Sequence, residues 1–447
     1  MNPSAKYVGL ATFTAALGGL LFGFDMAVIS GALLFVKDQF RLTDAVQGWF
    51  VSSALVGCIA GVAFSGVLSD RLGRKKMLAA AAVLFLLSAV GSALSPGFTV
   101  LVLARIAGGV GVGIASIVAP LYISEIAPAH IRGRLVTLYQ LAITAGILLA
   151  YLTNAAVLQY AQLLPGAHLL VAEPWRAMIG IGGIPSLLFI ICIAFIPESP
   201  RWLLQTGRTA EGMAILQKMN GSMDVGVAPA AASRSSFREL FSPALRKPML
   251  IGILLPLFSQ FSGINAVIYY GPRILNEAGI NISNALLSQT IFGIANFVFT
   301  LIAIWKVDSM GRRPLYLAGS LGAAASLIFA GYCMHTGATG NLALVVAIIL
   351  FLACFAFSLG PLKFVIASEI YPTHIRGQAM AVSLMTMWVA DSIVGQLTPV
   401  LLGKFGGAAT FWFFACCCLL AFWTVLRMVP ETKGRSLETM DDVFKAH

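Results

Sequence analysis

A chain of 447 residues that is 59% hydrophobic and only 11% charged, with a mean hydropathy of +0.89, is not a soluble protein; soluble domains carry roughly 25% charged residues. A formal net charge of +11 and a pI of about 9.5 raise the question of nucleic acid, but the placement of the charges, given below, excludes it as a partner. Apolar stretches long enough to cross a bilayer, roughly 20 residues each, occur in about twelve places. In the first half they fall at 8–31, 48–68, 77–95, 98–122, 135–156 and 176–196, and in the second at 248–275, 284–306, 314–334, 341–368, 379–402 and 410–428. With no water in hydrocarbon to satisfy the backbone, each is expected to be a helix. Only Lys6 precedes the first span and no small-residue cleavage pattern follows it, so it is read as a retained helix rather than a signal peptide.

Alternating the loops between the two sides sorts the cations. Of 29 Lys and Arg, 22 fall on one side: Lys6, the run Arg71 to Lys76, Arg132 and Arg134, seven from Arg201 to Lys247, Lys306, Arg312, Arg313, Arg376, Arg427, Lys433, Arg435 and Lys445. Lys37, Arg41, Arg176, Arg273 and Lys404 fall on the other. That asymmetry assigns both termini and the long middle loop to the cytoplasm. The halves read as 1–197 and 248–430, joined by a polar linker at 198–247 and followed by a tail at 431–447. Within the linker, Thr209 to Asn220 has helical periodicity with Thr209 as its cap, Gly221–Ser236 reads as flexible, and Phe237 to Lys247 as a second short helix. Cys58, Cys192, Cys354, Cys416, Cys417 and Cys418 lie inside spans and Cys333 at a span end. Such scattered membrane cysteines are apolar filler, so neither a disulfide nor a metal site is expected.

The two halves repeat one another. Ser124-Glu125-Ile126-Ala127-Pro128-Ala129-His130-Ile131-Arg132-Gly133 returns 244 residues later as Ser368-Glu369-Ile370-Tyr371-Pro372-Thr373-His374-Ile375-Arg376-Gly377. Asp70-Arg71-Leu72-Gly73-Arg74 returns as Asp308-Ser309-Met310-Gly311-Arg312, and Pro197-Glu198-Ser199-Pro200-Arg201 loosely as Pro430-Glu431-Thr432-Lys433-Gly434-Arg435. Three matched marks in one order describe a half written twice, the organisation of a transporter built from two membrane halves.

Together with Pro120-Leu121-Tyr122 ahead of Ile123-Ser124-Glu125, and Gln260-Phe261-Ser262-Gly263-Ile264-Asn265 with Tyr269-Tyr270 in the seventh span, these motifs resemble the sugar porter branch of the major facilitator superfamily over nearly the whole chain. The resemblance implies an all-α membrane fold of about twelve helices in two pseudo-symmetric six-helix halves. It also implies a latch of charged helix ends on the inner side, here Asp70, Arg71, Arg74, Glu125, Arg132 and Glu198, mirrored by Asp308, Arg312, Glu369 and Arg376. Such acids and bases pair across neighbouring helices and complement helix dipoles. The bland reading is positive-inside charge plus capping, and it is preferred for Lys75 and Lys76. His130 and His374 are read as structural.

With the interfacial charges at span ends set aside, four ionisable residues remain within spans: Asp25, Arg105, Lys363 and Asp391. Each is costly in lipid, roughly 2.5–3.5 kcal/mol on insertion scales, so each needs a partner. Asp25 and Arg105 both fall about 10 Å below the outer surface at 1.5 Å per residue, which suggests a pair. An acid beside an arginine in a low-dielectric site can load and lose a proton, and the resemblance gives Asp25 the position that marks proton-coupled members. Lys363 and Asp391 depart from the family's usual small and Asn residues. They are expected to neutralise one another, the alternative being that Lys363 meets an acidic sugar. Phe364 stands in place of a family Trp, Ser259 in place of the first of two Gln, and Ile147 where some members have a second Gln.

Sugars are recognised through hydroxyls and an apolar face, which suits amides and aromatics. By resemblance the sugar contacts are Phe22, Gln140, Gln260, Asn265, Asn296, Phe364 and Trp388, while Asn154, Gln289 and Gln396 are left as helix–helix glue. The reading is a proton-coupled importer of a monosaccharide or related sugar, without cofactor or metal, acting as a monomer in the inner or plasma membrane. Asp25 and Arg105 argue against a proton-independent uniporter. A tail of about 18 residues argues against a membrane sugar sensor, and the absence of a catalytic triad, metal cluster or phosphate loop argues against an enzyme.

Overall fold

The computed structural model describes residues 3–128, 131–163, 172–220, 240, 242–337, 341–372 and 375–431. Gly221–Ser236, for which flexibility was expected, together with His130, His374 and the tail after Glu431, lie outside the described residues, as do the side chains of Arg132 and Asp308. The chain divides into two compact units, Met1–Ala228 and Pro229–His447. The described residues are almost wholly helical, and 11 helices are long and apolar enough to cross a membrane. The last of them carries two of the twelve expected spans.

In the first unit the helices are α1 (Pro3–Phe40), α2 (Asp44–Leu72), α3 (Arg74–Ala93), α4 (Phe98–Ile126), α5 (Arg132–Leu163), α6 (Pro174–Gly180) and α7 (Gly183–Phe195). They are followed by the short α8 (Pro200–Gln205) and by α9 (Thr209–Asn220). The first span was expected to stop near residue 31, but Lys37, Asp38 and Gln39 continue the helix beyond its apolar run. Helices α6 and α7 form the sixth span, interrupted at Ile181 and Gly182.

Close helix approach in this unit depends on glycine. Gly57 and Gly61 on α2 face Gly109 and Gly113 on α4, a pair of small-xxx-small motifs. A Cβ on Gly109 would stand 1.9 Å from the Ala54 carbonyl oxygen, and one on Gly61 would stand 2.4 Å from that of Val110. Helices α1 and α5 meet in the same way, with a Cβ on Gly23 falling 1.9 Å from the carbonyl oxygen of Ile143. Without a hydrophobic driving force between helices in lipid, such backbone contact supplies the packing. Large apolar side chains such as Phe64, Leu103, Ile184 and Phe195 stay exposed, as lipid-facing positions require.

The second unit holds α10 (Arg246–Phe261), α11 (Ile264–Glu277), α12 (Ile282–Met310), α13 (Arg312–Thr336), α14 (Asn341–Phe357), α15 (Leu359–Ile370) and α16 (Arg376–Met428). Of the expected helix over Phe237 to Lys247, residues 237–239 and 241 lie outside the described residues; a 3-10 turn at Pro243–Leu245 leads directly into α10, which takes in Arg246 and Lys247. Two spans expected to be continuous are broken. The seventh is interrupted at Gly263, whose φ of +85° is left-handed and suits glycine; the tenth is interrupted at Ser358, just ahead of Gly360-Pro361. Conversely, the eleventh and twelfth spans run together as α16 except at Gly406, where φ 77° and ψ 169° leave the helical region. Helix α16 packs against α10, α11 and α13.

The glycine contact between α2 and α4 makes a direct prediction. Gly109→Leu should destabilise the protein by at least the 1–3 kcal/mol typical of overpacking, whereas Gly66→Ala on the same α2 meets nothing within 4 Å and should be silent. Thermal unfolding in detergent separates the two; equal midpoints would contradict the packing described.

Candidate functional site

Charged helix ends organise one edge of each unit. Arg74, at the start of α3, reaches Glu125 at the end of α4, with Nε to Oε2 and Nη2 to Oε1 both 3.1 Å. Its other arm meets Asp70 at 3.1 Å and the Ser69 carbonyl oxygen at 2.9 Å. Glu198 accepts from the backbone N–H groups of Arg74 at 2.9 Å and Lys75 at 3.0 Å, so a carboxylate sits on the positive end of α3. The second unit repeats the device: Arg312 pairs with Glu369 at 3.2 Å, and Glu431 accepts from the backbone N–H groups of Arg312 and Arg313, each at 3.1 Å.

Two of the expected latch residues behave otherwise. Arg71 is exposed on the last turn of α2 and makes no ion pair among the described residues. Arg376 donates to the Tyr371 carbonyl oxygen, Nη2 at 3.0 Å, closing its own loop, and forms no ion pair among the described residues. Glu431 was not among the expected latch residues, although its place in the Pro197/Pro430 repeat marks it as the counterpart of Glu198.

Deeper in the first unit, Arg105 Nη1 lies 2.7 Å from Asp25 Oδ1 and 3.2 Å from the Asp25 carbonyl oxygen. The Arg105 side chain is 1% exposed and that of Asp25 is 12% exposed. Asp25 lies fifteen residues, or ~22 Å, from the end of α1 at Phe40, whereas Arg105 lies seven residues, or ~10 Å, from the start of α4. The two residues meet side by side although their distances from their helix ends differ, because α1 extends past the apolar run expected to end near residue 31. Gly108 lies beside the pair and makes room for Ser88: a Cβ there would clash with Ser88 Oγ but meet Asp25 Oδ1 only at an ordinary 3.6 Å. Asp25 Oδ2 is buried and accepts no hydrogen bond among the described residues. Beside it lies a cavity lined by Phe24, Phe85, Ala89, Gly182 and Ser186, about 10 Å³ in volume, which is room for a single water molecule. Of the two sugar-contact candidates in this unit, Phe22 is half-buried and Gln140 is exposed.

In the second unit the candidates gather at the break in the seventh span. Asn265 Nδ2 donates to Gln260 Oε1 at 2.9 Å across Gly263, so the two amides of the motif form one polar face. Tyr269 donates to Asp391 Oδ2 at 3.1 Å and Tyr270 to the Gly395 carbonyl oxygen at 2.6 Å, which docks α11 on α16. Trp388 and Asn296 are buried and Phe364 is half-buried. The expected direct pair of Lys363 with Asp391 is not formed. Lys363, near the restart of the helix as α15, donates to Ser259 Oγ at 2.9 Å, and its ammonium lies 5.3 Å from the Phe364 ring and 5.9 Å from the Phe355 ring. Ser259 and Tyr269 therefore belong to the cluster although neither was expected there; their positions flanking the Gln260–Asn265 motif were the available signal.

Broken helices that carry amides at the break, with buried ionisable residues inside otherwise apolar helices, define a multi-pass secondary transporter rather than an enzyme. Comparison with known proteins gives the family. Residues 11–444 match the family described as Sugar (and other) transporter, and the chain belongs to that family. It is 39% identical over 448 residues to the arabinose-proton symporter of Bacillus subtilis (strain 168), covering 99% of this chain and 96% of the relative. It is 38% identical over 479 residues to the D-xylose-proton symporter of Escherichia coli (strain K12), again covering 99% and 96%. Among solved structures, the partially occluded inward-open conformation of the xylose transporter XylE from E. coli aligns with a TM-score of 0.83 at 35% identity. That alignment covers 96% of this chain and 100% of the other.

The ion pair predicts a double-mutant cycle. Arg105→Met strands a buried carboxylate and should lower stability by about 3–5 kcal/mol, while Asp25→Asn keeps an acceptor for Arg105 and should lose less. Adding Asp25→Asn to Arg105→Met should recover part of the loss in thermal unfolding. An Arg105→Met protein as stable as wild type would contradict the geometry.

Proposed function

We propose that this chain is a proton-coupled symporter that imports a monosaccharide or related sugar by alternating access, with Asp25 as the proton carrier and Arg105 tuning it. The observation that carries the reading is the buried 2.7 Å pair between α1 and α4, which leaves one oxygen of Asp25 free. A proton arriving from the outer side binds the Asp25 carboxylate, cancels its charge and weakens its hold on Arg105. The protonated, sugar-bound form then changes access, and the proton leaves inward as the carboxylate pairs with Arg105 again. Coupling follows because a charged, unpaired Asp25 is costly in a low-dielectric site. The names of the arabinose-proton and D-xylose-proton symporters support both the proton and the sugar.

The sugar is held by hydrogen bonds to Gln140, Gln260, Asn265 and Asn296 and by the aromatic faces of Phe22, Phe364 and Trp388. Each amide offers both donor and acceptor to a hydroxyl. The charged helix ends act as an inner latch. Asp70, Arg74, Glu125 and Glu198 work in one half and Arg312, Glu369 and Glu431 in the other, joined by Arg71, Arg132, Asp308 and Arg376 as access changes. The excess of 22 cations over five supports a cytoplasmic position for both termini and the latch, in a plasma membrane where the protein acts as a monomer.

Asp25→Asn should abolish accumulation of D-xylose or arabinose driven by a pH gradient in vesicles, while sugar exchange without a gradient persists. Full uphill accumulation by this variant would reject Asp25 as the carrier and leave a uniporter as the better reading. Gln260→Ala and Asn265→Ala should each weaken sugar binding by about 1–3 kcal/mol, because a desolvated hydroxyl or amide loses its partner. Calorimetry showing wild-type affinity in both variants would move the sugar elsewhere.

A further inference from the structure

Lys363 and Asp391, both buried in the second unit, have bonding capacity that no described residue uses. Lys363 is 7% exposed and Asp391 is 2% exposed. An ammonium has three N–H donors, and Lys363 spends one on Ser259 Oγ at 2.9 Å. The rings of Phe355 and Phe364 face the same ammonium at 5.9 and 5.3 Å; they attract its charge but are far weaker acceptors than oxygen. On the facing helix, Asp391 Oδ2 accepts from Tyr269, with the Asn265 amide beside the carboxylate. Oδ1 is buried and accepts nothing among the described residues. The two opposite charges form no ion pair with one another, each bonding to a neutral hydroxyl instead. Both adjoin the Gln260–Asn265 amide face, from α15 and α16 respectively.

We propose that Lys363 and Asp391 are specificity-determining contacts that a neutral sugar bridges: hydroxyls of the substrate accept from the Lys363 ammonium and donate to Asp391 Oδ1. The inference rests on the sugar-transport reading above and names the substrate class of that site. A hydroxyl is donor and acceptor at once, so a pair of adjacent hydroxyls satisfies an open ammonium and an open carboxylate together. Charge-assisted bonds of this kind are stronger than those between neutral groups. The site's own charges sum to zero, so a neutral polyol enters without adding charge. A sugar acid would set its carboxylate against Asp391, and an amino sugar would set its ammonium against Lys363. Buried charges left open in the empty site make sugar binding favourable and penalise any analogue that lacks the bridging hydroxyls.

The test is equilibrium exchange in proteoliposomes without a pH gradient, which does not require proton coupling. The probes are radiolabelled D-xylose, arabinose and galactose, competed by their deoxy analogues and by the corresponding uronic acids. Lys363→Met and Asp391→Asn should each raise the half-saturating concentration of a neutral sugar about ten- to hundredfold. The double variant should be no worse than the weaker single, because one bridge is lost either way. Thermal unfolding without sugar should show no recovery in the double variant. The wild-type protein should reject particular deoxy analogues by a similar factor, a readout that needs no variant to fold.

The proposal is overturned if every deoxy analogue competes as well as its parent, if either single variant exchanges neutral sugars normally, or if the losses in the two singles simply add. Recovery of sugar-free stability in the double variant would establish a direct pair instead. A uronic acid that outcompetes its neutral parent, and loses that advantage in Lys363→Met, would establish an anionic substrate. Absence of saturable exchange by the wild-type protein with all three sugars would overturn the transport reading itself.

Discussion

Hydrocarbon offers an ionised side chain neither water nor counterion, so every charge inside a membrane helix must find its partner within the protein. Two of the four intramembrane charges of this chain meet that demand in the simplest way. Arg105 holds Asp25 through one oxygen and through the carbonyl of the same residue. The arrangement that keeps the pair stable also makes it responsive. With Oδ2 left open beside a cavity for one water, the carboxylate can take a proton without disturbing the helices that carry it. A fully satisfied carboxylate would be a brace; a half-satisfied one can be a switch.

The helices that present this pair are held by contact too close for side chains. The small-xxx-small faces of α2 and α4, and the glycines of α1 against α5, replace the hydrophobic driving force that is missing in lipid. At the charged edge of each unit, one design appears twice: an arginine at the start of a helix pairs with a Glu from the Ser-Glu-Ile repeat, and a second Glu covers the helix N-terminus. Glu198 and Glu431 occupy equivalent places although their surrounding sequences match only loosely. The interaction has outlasted the sequence similarity.

Which features could be read from the sequence follows from what periodicity and composition encode. Apolar runs report where hydrocarbon-compatible helix exists, so all twelve spans were found. They do not report where a helix stops when polar residues continue it, hence the overrun of α1 to Phe40, nor where it breaks inside an apolar run, as at Gly263 and Ser358. The Asp25–Arg105 pair was legible because intramembrane charges are few and costly, which leaves few possible matches. The same argument failed for Lys363 and Asp391, because depth along a helix says nothing of the direction a side chain takes around it. Lys363 turns to Ser259, and Asp391 turns to Tyr269. Arg376 escaped for a local reason: a residue at the first turn of a helix can close on a carbonyl of the preceding loop instead of reaching across to an acid.

The central claim is that sugar and proton move together through a chain whose proton carrier is buried and paired. It is tested most directly by loading purified protein into liposomes containing a pH-sensitive dye, with no ion gradient, and adding a transported sugar such as D-xylose outside. The account predicts that sugar entering down its own gradient carries protons with it, acidifying the interior in proportion to the sugar taken up. Sugar entry with no accompanying change in internal pH would contradict it.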